Sequence, residues 1–342
     1  MRVIITEKPA VSRALAQTIS QFYPTGDIYF IEAQPFWLNN LKMPRGLALT
    51  DFPYFEHPVY KRDEPLNWGT LKRRLSQHVA GNCVPRGEIS LDNAREILLS
   101  AEEVICACDW DHTGQWGFDL FIEQTLGDDR PINFPVLVLS GGMDTRSIEK
   151  AFNSMITTDH PHHNALLSAG KAKRLFEYSY AVNSLGILGN LYRKLAGTKE
   201  PVFVSKYGLQ TLLWLTKNGP MATWKVQDKM SHDWTGTGKY PKGSMKHLYG
   251  MGSAASRSSI IGDLVRIGLL DETDVGMISV TALGKSYVDA LHPDCRDEDL
   301  PFRIDAWMSQ GIEVSEPAIK RYLSTFFGKQ ARHQAAITAP KG

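Results

Sequence analysis

The sequence predicts an α/β domain followed by a mainly α-helical domain. Up to about residue 150, short apolar runs of strand length alternate with segments of helical periodicity, as in a sheet covered by helices. The predicted strands lie at 3–6, 28–32, 104–108 and 136–139, and the predicted helices at 10–20, 67–79, 92–101 and 115–126. From Ala165 onward, helical patterns dominate, which indicates a second domain of a different class.

A tract at 157–163, Thr-Thr-Asp-His-Pro-His-His, separates the two parts. Its three histidines are residues that bind metals, but no second cluster lies near them, so a solvated linker is the preferred interpretation. The segment 33–66 is rich in proline and aromatic residues and is expected to form an irregular loop. We therefore expect an α/β domain over 1–155, a helical domain over 165–328 and a disordered tail over 329–342.

Composition and charge exclude few functional classes. The formal net charge is +1, so any surface for an anionic partner must be local. No apolar run of about 18 residues is present, and the first residues lead directly into a strand without a signal-peptide pattern, so no membrane association is expected. The four cysteines lack zinc-site spacing and fit a reducing compartment, which predicts a cytoplasmic protein.

Acidic residues follow two of the predicted strands. Asp109 and Asp111 come directly after the apolar run 104–108, and Glu7 follows the strand at 3–6. Side chains two positions apart at a strand end point the same way, and strand ends are where an α/β sheet places its chemistry. Carboxylate oxygens suit Mg²⁺, so a magnesium site is the preferred interpretation. The alternative is a helix N-cap plus a turn aspartate, positions that favour aspartate in any case.

The second domain contains a pattern of helix, turn, strand and helix. A predicted helix over 253–267 contains Arg257 and Ser258, a strand follows at 278–280, and Thr281 is placed to cap a helix that ends at Leu291. This is the outline of a winged helix, in which Arg257 and Ser258 would face DNA. A small helical packing domain explains the pattern equally well.

These segments together resemble a known family. Glu7-Lys8-Pro9 and the stretch 109–115, Asp-Trp-Asp-His-Thr-Gly-Gln, resemble the Toprim domain of type IA DNA topoisomerases, closest to the bacterial topoisomerase III branch. The stretch 250–261, Gly-Met-Gly-Ser-Ala-Ala-Ser-Arg-Ser-Ser-Ile-Ile, is similar to the glycine-rich helix start of that family. Two further segments, 281–285 and more weakly 205–211, are similar to other family motifs.

The resemblance implies roles for particular residues. Glu7, Asp109 and Asp111 would bind Mg²⁺, and Glu7 would also act as a general acid or base. Lys8 would stabilise developing charge. The DNA is expected to be single-stranded. The residues expected to contact it are Lys8, His112, Arg257 and Ser258.

The chain also departs from the family pattern. Thr113 stands where the family has a third carboxylate, and His112 stands where it has arginine. About 40 residues separate Thr211 from Gly250, too few for the arch domains that open to pass a strand. Tyr240 resembles either the nucleophilic tyrosine segment or a non-catalytic segment of the family, and position in the chain favours the second.

These observations predict a minimised type IA topoisomerase-like protein that holds single-stranded DNA at a Mg²⁺ site and does not carry out full strand passage. Whether it is an enzyme is left open. The alternatives are a metal-dependent Toprim nuclease, in which an activated water attacks the phosphodiester, and a non-catalytic DNA-docking accessory or scaffold protein. Protein partners in DNA processing are compatible with each of these functions.

Overall fold

A computed structural model of the chain describes residues 1–39, 41–62, 65–73, 81–140, 142–232, 234, 236–239, 251–252 and 254–338. The chain forms two compact units. The first comprises Met1–Met43 and Pro58–Lys171, and the second comprises Pro44–His57 and the chain from Ala172 onward. The boundary therefore lies within a helix rather than in the predicted linker at 157–163.

The first unit is an α/β structure. Its strands are β1 (Arg2–Thr6), β2 (Ile28–Glu32), β3 (Leu41–Lys42), β4 (Val59–Tyr60), β5 (Leu66–Lys72), β6 (Asn82–Ile89), β7 (Glu103–Ala107), β8 (Pro135–Val136) and β9 (Ile156–Thr157). Its helices are α1 (Pro9–Thr18), α2 (Gln34–Asn39), α3 (Leu91–Leu99), α4 (His112–Leu126), α5 (Thr145–Asn153) and the start of α6 (Pro161–Asn183).

The main sheet of this unit has the strand order β6-β5-β2-β1-β7-β8-β9. Strands β2, β1, β7 and β8 run parallel, whereas β5, β6 and β9 pair antiparallel. Alternate residues of β1 pack on opposite faces: Val3 and Ile5 belong to one buried cluster, and Ile4 belongs to the other. Both faces of β1 are thus covered, as expected of a central parallel strand.

The second unit is mainly helical. Its elements are α7 (Gly189–Ala196), α8 (Lys206–Asn218), β10 (Met221–Ala222), α9 (Thr223–His232), α10 (Ala254–Arg266), β11 (Leu270–Glu272), β12 (Met277–Val280), α11 (Ala282–Asp289), α12 (Leu300–Gln310) and α13 (Ile312–Thr338). A single π-helical turn, Ser184–Leu188, joins α6 to α7. The three short strands form an antiparallel sheet in the order β10-β12-β11.

The prediction of a helix over 67–79 is wrong where the structure describes that segment. Residues 66–72 form strand β5, which pairs on both sides with β2 and β6. Trp68 packs edge to face on Tyr29 with the ring centroids 5.5 Å apart. Cross-strand packing of this kind outweighs the local sequence pattern, because β-propensity depends mainly on neighbours in the sheet.

Two segments that were expected to be irregular are ordered. In the segment 33–66, α2 buries Phe36 and Trp37 in the core. At the other end of the chain, the predicted disordered tail begins within α13, which continues to Thr338. Gln330 anchors that helix, since its buried amide accepts a hydrogen bond from His292 N at 2.8 Å and donates one to Ala290 O at 3.2 Å.

The histidine tract is not a solvated linker throughout. His163 is only 2% exposed, and its burial lowers the pKa of its imidazole. Helix α6 begins at Pro161, a residue whose fixed φ suits a first helical position, so the tract starts an element of the fold. Across the described residues, no helix has the length and apolar character needed to cross a membrane.

Candidate functional site

The two acidic turns meet because their strands are neighbours. β1 pairs directly with β7 in parallel, and the last residue of β1, Thr6, lies opposite Ala107 at the end of β7. The residues that follow, Glu7 on one strand and Asp109 on the other, therefore leave the sheet at the same carboxyl edge.

Glu7 is buried among polar groups. Its side chain is 8% exposed, Oε1 accepts a hydrogen bond from Gln34 Nε2 at 2.9 Å, and Oε2 accepts one from the backbone N–H of Asp109 at 3.4 Å. Burial raises the pKa of this carboxyl to about 7, and the negative charge of Asp109 raises it further than Lys8 lowers it. Glu7 therefore keeps its proton to a higher pH than an ordinary glutamate does.

Lys8 neutralises part of the acidic cluster. Its Nζ donates to Asp109 Oδ2 at 2.9 Å and lies 4.0 Å from Glu7 Oε1. The hydrogen bond to Asp109 raises the pKa of the lysine, and Glu7 and Asp111 contribute in the same direction. Lys8 remains 44% exposed, so its ammonium is accessible to a ligand at the edge of the sheet.

Asp111 caps helix α4. Its Oδ1 accepts hydrogen bonds from the backbone N–H groups of Thr113 and Gly114, both at 2.8 Å. The helix N-cap that the sequence analysis gave as an alternative is thus the role of Asp111 Oδ1. Gly114 is required at its position, because a Cβ there would collide with the carbonyl oxygen of Asp109.

Two glutamines that the sequence analysis did not single out support the turns. Gln34, at the start of α2, holds Glu7 as described above. Gln115 is fully buried, and its Nε2 donates to Asp109 O at 2.9 Å. Gln115 could have been found from the sequence, because it ends the motif 109–115. Gln34 could not, because it lies in the segment 33–66, which was expected to be irregular.

The donor set fits Mg²⁺ in part. Among the described residues, no group of three or more His, Cys, Asp or Glu side chains has the arrangement of a metal site. The negative charges of Asp109 and Asp111 nevertheless both raise the pKa of Glu7, so the three carboxylates interact electrostatically. Mg²⁺ in proteins commonly uses one or two carboxylates, several waters and substrate phosphates.

Aromatic and polar groups flank the acidic cluster. Trp110, between the two aspartates, stacks on His162 with the ring centroids 5.9 Å apart. His112 and Thr113 begin α4 and are both half-buried. Gly170 lies against this helix start, where a Cβ would collide with the carbonyl oxygen of His112. The N-terminus of α4 is therefore fixed on several sides.

The predicted DNA-contacting residues of the second unit lie on α10. Arg257 is half-buried there, and Ser258 is exposed, its Oγ accepting a hydrogen bond from Gln227 Nε2 at 3.2 Å. Thr281 caps α11 as predicted, with its side chain accepting from Gly284 N at 2.9 Å. Tyr240 and two residues of the glycine-rich stretch 250–261, Gly250 and Ser253, lie outside the described residues.

Comparison with known proteins gives a structural likeness but no match to a protein family. No protein-family model matches the chain, and no curated protein matches it. Among solved structures, the chain is similar to full-length topoisomerase I from Thermotoga maritima, with 11% sequence identity and a TM-score of 0.39. The match covers 97% of this chain and 60% of that structure, so the chain spans less than two thirds of its length.

Proposed function

We propose that this protein is a minimised type IA topoisomerase-like protein that holds single-stranded DNA at a Mg²⁺-binding Toprim centre. One observation carries the proposal: Glu7, Lys8 and Asp109 form a single hydrogen-bonded and ion-paired cluster at the ends of adjacent parallel strands. These are the residues of the two motifs that resemble the Toprim domain, and they stand in the sequence about 100 residues apart. The likeness to the topoisomerase III branch rests on these sequence motifs alone.

The charges of the cluster favour a phosphate that arrives together with a cation. Glu7, Asp109 and Asp111 lie near one ammonium, that of Lys8, so a bare phosphate meets net negative charge. Asp109 and Asp111 would hold Mg²⁺ with Glu7 beside them, and the ion would neutralise this charge and polarise the phosphate when bound. Lys8 would contact a phosphate oxygen, a contact that positions a strand without reading its sequence.

The second unit supports the DNA-binding part of the proposal. Its elements follow the order helix α8, strand β10, helices α9 and α10, and strands β11 and β12, with the strands in one antiparallel sheet. This is the order of a winged helix, in which the third helix enters a DNA groove. In that arrangement, α10 would present Ser258 and Arg257 to the DNA backbone, where both can bind phosphate.

A catalytic form of the proposal uses Tyr240. The tyrosine hydroxyl would lose its proton to solvent and its oxygen would attack the phosphorus, the bond to the deoxyribose oxygen would break, and protonated Glu7 would give its proton to the departing oxygen. The pKa of about 7 for Glu7 suits that role. Without a second nucleophile and an arch, the product would be a covalent adduct rather than a passed strand.

A specific observation favours a second candidate, a non-catalytic DNA-docking protein. Thr113 replaces the third carboxylate of the family, and Asp111 uses one carboxylate oxygen to cap α4. Fewer free carboxylate oxygens weaken the hold on a hard cation, because ligand charge sets affinity. In this case the site would hold DNA for partner proteins in DNA processing.

A denaturing gel separates the two forms. The protein is incubated with labelled single-stranded DNA, with and without Mg²⁺, and binding is measured in parallel at low salt. An adduct that disappears in Tyr240→Phe identifies the catalytic form, whereas binding without an adduct or cleavage identifies the docking form. Cleaved DNA without attached protein, still formed by Tyr240→Phe and lost in Asp109→Ala, would identify a metal-dependent nuclease instead. Absence of DNA binding at low salt would overturn the proposed function.

A further inference from the structure

A concave surface in the second unit contains an exposed tryptophan. It lies between α9 and α10, has a volume of about 360 Å³ and is lined by Trp224, Gln227, Asp228, Ser231, Arg257 and Ser258. Only Arg257 and Ser258 were expected to have a function. The remaining residues lie on α9, for which the sequence motifs assign no role.

Trp224 is unusual among the tryptophans of the chain. Its side chain is 65% exposed, whereas Trp37, Trp116, Trp234 and Trp307 are each buried. The exposed ring can stack on a flat ligand, and the hydrogen-bonding groups lining the same surface could contact the edge of that ligand. Lys225 places its ammonium 5.5 Å from the centroid of the Trp224 ring, within the range of a cation–π contact.

The rest of the surface supplies hydrogen-bonding groups and charge. Gln227 already donates to Ser258 Oγ at 3.2 Å and keeps a carbonyl oxygen as an acceptor. The carboxylate of Asp228 is an acceptor for the amino group of a base. Arg257 lines the surface and Lys225 adjoins the Trp224 ring, so both provide positive charge. An open aromatic face, acceptors and donors at its edge and flanking cations are the features that bind an unpaired nucleotide.

We propose that this surface binds one unpaired base of single-stranded DNA, with the Trp224 ring stacked on the base and Lys225 and Arg257 contacting the phosphates beside it. The inference rests on the proposed function, since it assigns a base-binding subsite to the same strand. Stacking on an aromatic ring accepts any base, so the subsite would strengthen binding with little sequence preference.

Substitution of Trp224 tests the subsite. Binding of a fluorescent oligothymidylate of about 12 nucleotides, a length that spans a typical single-strand site, is followed by anisotropy. Trp224→Ala is expected to weaken binding about tenfold, the loss of one base–aromatic stack. Trp224→Phe keeps a stacking ring and should bind within about threefold of the wild type. The matched control is Phe203→Ala, which removes another exposed aromatic ring of the second unit and should leave affinity unchanged.

Abasic oligonucleotides identify the partner of the ring. An oligonucleotide that is abasic at every position offers no base in any register, so its loss of affinity relative to oligothymidylate should be about tenfold larger for the wild type than for Trp224→Ala, in which the same contact is already absent. Melting curves that match those of the wild type establish that the variant is folded, as expected for an exposed side chain.

The outcomes distinguish the inference from the function on which it rests. A wild-type protein that binds no single-stranded DNA overturns both. Normal DNA binding that is unchanged in Trp224→Ala, or an equal loss for Trp224→Ala on fully paired DNA of the same sequence, overturns the base-binding subsite alone. A fully abasic strand whose loss of affinity is identical for the wild type and Trp224→Ala does the same.

Discussion

At Glu7, burial and the negative charge of Asp109 act in the same direction on the carboxyl group. Its carboxyl is buried beside Asp109, and this burial raises its pKa from 4.5 to about 7. A group whose pKa is higher in the folded state adds stability below its unfolded value and loses that stability as pH rises through the folded value. The ionised Glu7 therefore destabilises the fold above about pH 7.

The first prediction concerns Glu7→Gln. Above pH 7 the variant should be more stable than the wild type, by at most about 3 kcal/mol, because each pKa unit corresponds to about 1.4 kcal/mol. The gain is reduced by the loss of one hydrogen bond, since a glutamine amide cannot accept from both Gln34 and Asp109. The difference should vanish below about pH 4.5, the unfolded pKa, and urea unfolding at several pH values measures it.

The control for this prediction is Glu123→Gln, which removes an exposed carboxylate of α4. It should change the free energy of unfolding little at any pH. A Glu7→Gln variant with the same stability difference at pH 4.5 and pH 8 would contradict the assigned environment of Glu7.

The second prediction concerns the missing carboxylate. Thr113→Glu restores an acidic side chain at the start of α4, beside Asp111, and should raise Mg²⁺ affinity on the order of tenfold because it adds ligand charge. Titration calorimetry measures the affinity. The control is Gln124→Glu, which adds the same charge in the last turn of the same helix. Equal gains in Mg²⁺ affinity for the two variants would contradict the prediction, because the gain would then come from net charge and not from a ligand at position 113.

At the scale of secondary structure elements, the start of helix α4 depends on the close packing of Gly114 against the backbone of Asp109. Gly114→Ala is predicted to reduce stability by about 1–3 kcal/mol, because its Cβ would press on the Asp109 carbonyl and a well-packed site cannot yield without strain. It should also weaken any Mg²⁺ or DNA binding that depends on Asp109. Thermal unfolding and the binding assays above check both effects.

A second helical glycine provides the matched control. Gly262 lies inside α10, and a Cβ there would meet no atom within 4 Å. Gly262→Ala should therefore stabilise the protein by about 0.5–1 kcal/mol through the higher helix propensity of alanine. A loss of stability in Gly262→Ala, or none in Gly114→Ala, would contradict the packing described for these helices.

The elements also show what could be predicted from sequence. Strand β2 and the cap at Thr281 were predicted correctly, because both depend on local signals: an apolar run and a hydroxyl at a helix start. Strand β5 and the end of α13 were not, because the first depends on pairing with two other strands and the second on the buried Gln330. Long-range packing of this kind leaves little trace in a local pattern.

In the candidate site too, the residues could be named from local sequence signals, whereas their contacts could not. The motifs identified Glu7, Lys8, Asp109 and Asp111, since charged residues after apolar runs are visible in a sequence. The ion pair of Lys8 with Asp109 and the contact of Gln34 with Glu7 depend on the order of strands in the sheet and on a helix that the sequence did not predict. Trp224 was missed because its exposure, rather than its identity, sets it apart.

For the whole molecule, the net charge of +1 means that the proposed DNA binding would depend on local groups. An acidic cluster with one lysine cannot attract a polyanion unless a cation joins it. The protein as a whole should therefore bind DNA more tightly with Mg²⁺ than without it, which is opposite to the usual effect of added salt.

The affinity for single-stranded DNA as a function of Mg²⁺, at constant ionic strength, tests the central claim most directly. We predict that millimolar Mg²⁺ tightens wild-type binding about tenfold, through a cation shared by carboxylates and phosphate. Asp109→Asn should lose this dependence and bind as well as the wild type, or better, without Mg²⁺. Asp128→Asn, which removes an exposed carboxylate elsewhere in the first unit, should keep it. Wild-type binding that is indifferent to Mg²⁺, or a Mg²⁺ effect that survives in Asp109→Asn, would contradict the account.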